Sequence, residues 1–464
     1  MGFSVAGRSA RVAFAAVLLG SGCGGGVPAT TDSPAPIASQ AAAEVASRAA
    51  IDAERIGADL DALQAIADAN DGVRTVGTPG YDASVAYVAD TLADLGFRVE
   101  QPEVPYTGFH ELPGATFEVG GRTWSAPDDV HALIYSAGGD VDGPIALLAG
   151  SGCDPDDFAG TPDGAIAVTT LGGCFRRDQA SNAIAAGASA LVIGYADRGA
   201  GEIFRPTLID PGGMTIPVIS VSSPVVAALE AAEGEEATLR VRTELEDGTF
   251  RQVIAELGDG PSVIVVGAHL DSVFEGPGLN DNGSGVAALL EIGRALEGTE
   301  IPDGWAVRLA FWGAEELGTI GSRAYAASLD PDEVLAYLNV DMAGSVDGAN
   351  LVYDEASAAP GSERITDLFA TWFDGHGQPW AAVDLGGSSD HAGFQAAGIP
   401  TGGLFAGATS SGSAAAPAAS AAAVVPDPCY HLACDDRSNV DVARVATFAA
   451  ALADVVLALT HDAP

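Results

Sequence analysis

Val263-Ile264-Val265-Val266-Gly267-Ala268-His269-Leu270-Asp271 is a short apolar run that empties onto a histidine and an aspartate. Its β-branched residues read as a buried strand, and the abrupt change at His269 marks a polar strand tip. A tight loop follows, Gly278-Leu279-Asn280-Asp281-Asn282-Gly283-Ser284-Gly285, and then an apolar stretch that predicts a helix over 285–297. The pattern recurs. Leu309-Ala310-Phe311-Trp312-Gly313-Ala314 runs into two adjacent carboxylates, Glu315 and Glu316, and Leu338-Asn339-Val340 runs into Asp341. Strands are expected at 263–268, 307–312 and 336–340, alternating with helices at 285–297 and 320–328. Such alternation argues an α/β fold, a mixed and mostly parallel sheet flanked by helices. Sites in such sheets open at the carboxyl ends of the strands, where these polar residues fall.

A fifth polar group, His431, lies within Cys429-Tyr430-His431-Leu432-Ala433-Cys434. His269, Asp281, Glu316, Asp341 and His431 thus form an ordered set of imidazoles and carboxylates, the donors that zinc accepts. Two histidines and three carboxylates suffice for two zinc ions if one carboxylate bridges them. Two such metals clamp both oxygens of a tetrahedral intermediate. Glu315 lies beside Glu316 but points differently, as adjacent residues at a strand end do, which suits a general base. Taken singly, each residue has a plainer reading, such as turn chemistry for Asp281 or a helix-start carboxylate for Glu315. The ordered set favours metal.

His269-Leu270-Asp271, Asn280-Asp281-Asn282-Gly283-Ser284-Gly285, Glu315-Glu316, Asn339-Val340-Asp341 and Tyr430-His431 together resemble the cocatalytic di-zinc aminopeptidase family, in its secreted bacterial form. The resemblance implies one zinc on His269 and Asp341, a second on Glu316 and His431, and Asp281 bridging. It implies a metal-bridging hydroxide as nucleophile, Glu315 as general base and Tyr430 as an oxyanion donor. Asp271 would orient His269 through its other ring nitrogen, and Asp390 would stand in a shell behind the metals. Some relatives carry Arg before the Ser-Asp-His motif, whereas this chain has Ser388-Ser389-Asp390-His391. The implied substrate is a peptide with a free N-terminus. The rivals are another metallo-exopeptidase or amidohydrolase on the same scaffold, such as a carboxypeptidase anchored through Arg437, or a glutaminyl cyclase. No His-Glu-x-x-His motif, Gly-x-Ser-x-Gly elbow or Walker loop is present. His110, His131, His376 and His461 read as surface or loop residues.

Among 464 residues, 63 are acidic and 20 basic, a formal net charge of -43, and none is lysine. Such a surface repels nucleic acid, so no nucleic-acid partner is expected; the chain is expected to be monomeric. Residues 1–23 read as an export signal: Arg8 and Arg11, an apolar Val12 to Leu19, and Gly20-Ser21-Gly22-Cys23. The apolar run is too short to span a bilayer. The last four residues resemble a lipoprotein cleavage box, with Gly20 where Leu is usual. Five cysteines are odd for an exported chain. Cys153 and Cys174 share one module, and Cys429 and Cys434 flank His431. Two local disulfides leave Cys23 single, as lipidation requires. A cell-envelope lipoprotein is expected, with free secretion as the alternative; membrane contact would come only through the lipid.

Residues 24–42 are a flexible linker by composition. The metallopeptidase domain is expected to be discontinuous, 43–111 and 246–464, and interrupted by 112–245. Within that interruption, Gly164 to Val168, Cys174-Phe175, Ala183 to Ala188, Val192 to Tyr195 and Pro217 to Ser220 resemble a β-rich protease-associated domain. Ser410 to Val425 reads as a loose loop leading to His431.

Overall fold

The computed structural model describes residues 51–170, 172–194, 203, 205–355, 357–407 and 427–461. The export signal with Cys23, the linker 24–42 and the low-complexity stretch 410–425 lie outside the described residues.

The first eight-stranded sheet runs in the order Arg98–Glu100, Val253–Gly258, Trp305–Trp312, Ser262–His269, Val334–Asp341, Thr401–Phe405, Leu351–Tyr353, Ala381–Val383. Its four central strands, Trp305–Trp312 to Thr401–Phe405, are mutually parallel, and both flanks carry antiparallel pairings. Alternation along the strands explains why both faces are covered. Val263, Val265, Ala310 and Trp312 join a cluster with Tyr337 and Phe394. Ile264, Val266, Val307 and Leu309 face the larger core instead. A strand buried on both sides reads as a continuous apolar run, which is how Val263 to Ala268 looks in the sequence.

Helices Ala53–Asp68, Gly285–Leu296 and Val442–His461 pack against one another on the larger core. Val442–His461 is long and apolar enough to cross a membrane, yet Val445, Phe448, Leu452 and Val456 are fully buried in this core. The first helix is pinned to Gly285–Leu296 by charge pairs: Arg55 with Glu291 at 2.5 Å, and Arg294 with the buried Asp59 at 2.6 Å. Helices Ile320–Ser328 and His391–Ala396 pack together against the opposite face.

Between the helices and the rest of the sheet the chain leaves through a ribbon. Glu103–Glu111 pairs antiparallel with Thr243–Arg251, residue for residue from Glu103 with Arg251 to Glu111 with Thr243. Beyond it stands the second eight-stranded sheet, in the order Arg122–Ser125, Thr116–Val119, Glu236–Val241, Gly139–Leu147, Ile166–Thr170, Ala190–Gly194, Val218–Val221, Val130–Ala132. Helix Arg176–Ala185 and the disulfide Cys153–Cys174 complete it.

Candidate metal centre

His269 is the last residue of Ser262–His269, Asp341 the last of Val334–Asp341, and Glu315-Glu316 follow Trp305–Trp312. Three neighbouring parallel strands therefore deliver these groups to one edge. Asp281 comes from the irregular turn Leu279–Ser284, with φ −108° and ψ 89° inside it. His431 arrives on a short disulfide loop closed by Cys429 and Cys434, which are five apart in sequence.

All five expected ligands converge. His269 Nε2 lies 3.1 Å from Asp281 Oδ1 and 3.5 Å from Asp341 Oδ1. His431 Nε2 lies 3.0 Å from Asp281 Oδ2 and 3.1 Å from Glu316 Oε2. Two donors each about 2.1 Å from a zinc ion, at the tetrahedral angle, would be about 3.4 Å apart. The spacings are those of coordination edges, and Asp281 turns one oxygen toward each imidazole. Glu316 Oε1 and Asp341 Oδ1 are buried without a hydrogen bond among the described residues, an uncommon state for carboxylate oxygens. The donor set fits divalent zinc.

Electrostatics agree. Burial pulls the His431 imidazole down, but Glu316 and Asp281 outweigh it and carry it up to about 10. His269 is likewise carried well above its ordinary value, burial being overcome by Asp341 and Asp281. Burial pushes Glu316 up to about 7. Without a cation, protons balance this charge cluster. Burial, then Glu316, Asp390 and Asp341, push Glu315 well up against the pull of His269. Tyr430, its ring 3.8 Å from that of His431, is pushed well above 10 by burial and then by Asp281 and Glu316, so it stays a donor.

Asp271 differs from the expectation in detail. His269 Nδ1 donates to the main-chain oxygen of Asp271 at 3.1 Å, while the Asp271 carboxylate stands 3.8 Å away. That carboxylate instead accepts the amides of Glu315 and Glu316, at 3.2 and 3.3 Å. It holds the carboxylate pair, and the backbone sets the imidazole. Asp390 is buried and burial pushes it up to about 7. Ser389, its neighbour, donates to Asp341 Oδ2 at 2.9 Å. His391 is fully buried with its Nε2 3.4 Å from Glu355. His131, expected on the surface, is mostly buried and pairs with Glu111 at 2.8 Å.

Three contributors have no side-chain signal in the sequence. Asp435 accepts the amide of Asp281 at 3.0 Å and that of Asn280 at 2.9 Å. Asp427 accepts Asn280 Nδ2 at 2.6 Å. Arg74 is completely buried and donates to the carbonyls of Leu270, Pro277 and Gly278 at 2.5, 2.9 and 2.7 Å. It ties down both ends of the loop between His269 and Asp281. Burial lowers it to about 10, and Asp271, Asp435 and Asp281 oppose that fall.

Comparison with known proteins gives the same picture. Residues 252–456 match peptidase family M28 and residues 141–229 match the PA (protease-associated) domain. A Mycobacterium tuberculosis protein named "Probable lipoprotein aminopeptidase LpqL" is 38% identical over 457 residues, 93% of this chain and 89% of its own length. An aminopeptidase of Pseudomonas aeruginosa is 37% identical over 410 residues, 82% of this chain and 76% of that one. Among solved structures, an aminopeptidase from Aneurinibacillus sp. strain AM-1 superposes with a TM-score of 0.69 at 26% identity, covering 88% and 93% of the two chains. The zinc aminopeptidase BSAP from Bacillus subtilis does so with 0.66 at 26% identity, covering 88% and 95%.

Proposed function

The chain belongs to peptidase family M28, with a PA domain set ahead of the peptidase core, and from that premise we propose a two-zinc aminopeptidase that removes N-terminal residues from peptides. The observation that carries this reading is the split carboxylate of Asp281, one oxygen near each histidine. His269 and Asp341 would hold one ion, Glu316 and His431 the other, and Asp281 both. Ions held there supply Lewis acidity toward water and toward the scissile carbonyl.

The chain's own groups do the rest. Glu315 is partly exposed beside the buried Glu316, so it can meet substrate. It takes a proton from the attacking water and passes it to the leaving amine. Tyr430 donates to the oxygen on which charge develops. The α-amine of the substrate finds a negative partner in Glu315 or Asp341. A carboxypeptidase would need a cationic anchor, but Arg437 is already engaged with Asp61 at 2.8 Å. The enzyme acts as an exported monomer, held by lipid at Cys23 or released; the mycobacterial relative's name supports the lipid.

The test is hydrolysis of aminoacyl anilides and of the same compounds N-acetylated, with chelator and with zinc restored. Free-amine substrates alone should be cleaved, only with metal. Cleavage of blocked substrates, or activity that survives complete metal removal, would overturn the reading.

A further inference from the structure

One short segment of the inserted domain reaches the metal centre's surroundings. Residues 205–210 are fixed on the insert: Thr207 bridges Ile134, and Arg177 donates to the carbonyls of Leu208, Asp210 and Gly212 at 3.2, 2.7 and 2.8 Å. Their other side meets the peptidase core twice. Thr207 Oγ1 donates to the Leu317 carbonyl at 3.1 Å. Ile209 presses its backbone on Gly318, where an added Cβ would lie 2.4 Å from the Ile209 oxygen. Leu317 and Gly318 directly follow Glu316. Ile209 holds φ at 73°, a left-handed conformation costly for a β-branched residue. Strain of that kind persists where surrounding contacts enforce it.

Arg205 makes the second contact. Its Nη2 pairs with Glu275 at 2.6 Å and its guanidinium lies 4.8 Å from the centre of the Phe274 ring. On the insert side its Nη1 lies 3.4 Å from Glu111, which also receives the amide of Ala132 and His131 Nδ1. All three charged side chains are largely buried, at 10%, 19% and 8% exposure for Arg205, Glu275 and Glu111. The residue after Glu275 is Gly276, where a Cβ would stand 2.4 Å from the Leu432 oxygen. Leu432 follows His431.

The two contacts therefore lead to Glu316 and to His431, which lie 3.1 Å apart, with His431 3.0 Å from Asp281 Oδ2. Phe274 and Glu275 lie midway on the loop from His269 to Asp281, but among the described residues the segment makes no hydrogen bond or ion pair with His269 or Asp341. Resting on the two-zinc reading, we infer that Arg205, with Thr207 and Ile209, positions the Glu316–His431 half of the centre, so that the inserted domain governs one metal site and not the other. Arg205 is a positioning residue; it touches no ligand.

The test is a Zn2+ titration of the full chain by calorimetry, with anomalous diffraction to place the metals. Wild type should bind two ions. In Arg205→Ala the Glu316–His431 ion should bind about tenfold to a hundredfold more weakly, as loss of a supporting partner typically does, while the His269–Asp341 ion binds as before. Arg205→Lys, which reaches only one of the two carboxylates, should fall between. Arg242→Ala, which breaks an exposed pair with Asp140 elsewhere on the insert, should change neither ion. If Arg205→Ala does not fold, Glu275→Gln and Thr207→Val each remove one contact and should weaken the same ion. Unchanged binding of both ions, or equal weakening of both, overturns the inference and leaves the aminopeptidase reading standing. A wild type that binds one ion or cleaves no free-amine substrate would instead sink that reading.

Discussion

Glu315 and Glu316 are consecutive, and the amides of both are held by one carboxylate, Asp271. Their side chains then separate: Glu316 meets His431, and Glu315 stays partly open to solvent. Glu315→Gln should therefore lower kcat by about 10²- to 10⁴-fold, the range for a lost general base, with zinc content and KM little changed. Steady-state kinetics beside metal analysis checks this. His269, Glu315 and Glu316 also offer donor atoms within 4.8 Å of one another, so loss of zinc in that variant would make Glu315 a ligand instead. The five expected ligands and their neighbour glutamate were legible because each ends an apolar run or sits in a marked turn. Asp435, Asp427 and Arg74 were not. Asp435 and Arg74 serve main-chain groups distant in sequence, which look alike at every position, and Asp427 meets the Asn280 side chain only through the fold.

Loops decide how these side chains are presented. The buried Arg74 satisfies three carbonyls of the stretch between His269 and Asp281. Arg74→Met should strand the Leu270 and Pro277 carbonyls, while Gly278 keeps the amide of Gly283, and unsatisfied buried groups cost about 1–3 kcal/mol each. Urea unfolding of the chelated protein should show a loss of roughly 3–5 kcal/mol, in the range for breaking a buried charged network; a loss under about 1 kcal/mol would deny Arg74 this role. On the opposite side, the Cys429–Cys434 loop confines His431. Cys429→Ser should weaken zinc at the Glu316–His431 side more than at the other, read by competition with a chromophoric chelator. Three of the four central strands and Gly285–Leu296 were legible from their largely apolar runs, whereas Thr401–Phe405, with two glycines in five residues, was not. Leu351–Tyr353 and Ala381–Val383 are three residues each, too short to show a period. Thr243–Arg251 is mostly exposed, with Phe250 alone buried, so its pairing leaves no apolar alternation to read.

For the molecule as a whole, the protons that balance the metal-free centre make its stability depend on pH. His431, raised from 6.5 to about 10, contributes stability that is complete below pH 6.5 and lost as pH climbs through 10. Glu316, raised from 4.5 to about 7, contributes with the same sign, complete below 4.5 and lost through 7. Chelated protein should thus unfold at a lower temperature at pH 9 than at pH 6. Added zinc should stabilise it more at pH 9, because binding displaces those protons. Thermal scans with and without chelator decide it; a chelated protein that is equally stable at both values contradicts the charge balance described. The ribbon has a different consequence. Glu103–Glu111 and Thr243–Arg251 run side by side, and Leu112 N reaches the Arg242 carbonyl at 2.9 Å. To the peptidase sheet, everything in between is the tip of one hairpin. Closure cost grows only with the logarithm of loop length, so a gene could gain or shed this whole passage while keeping the reading order of every core strand.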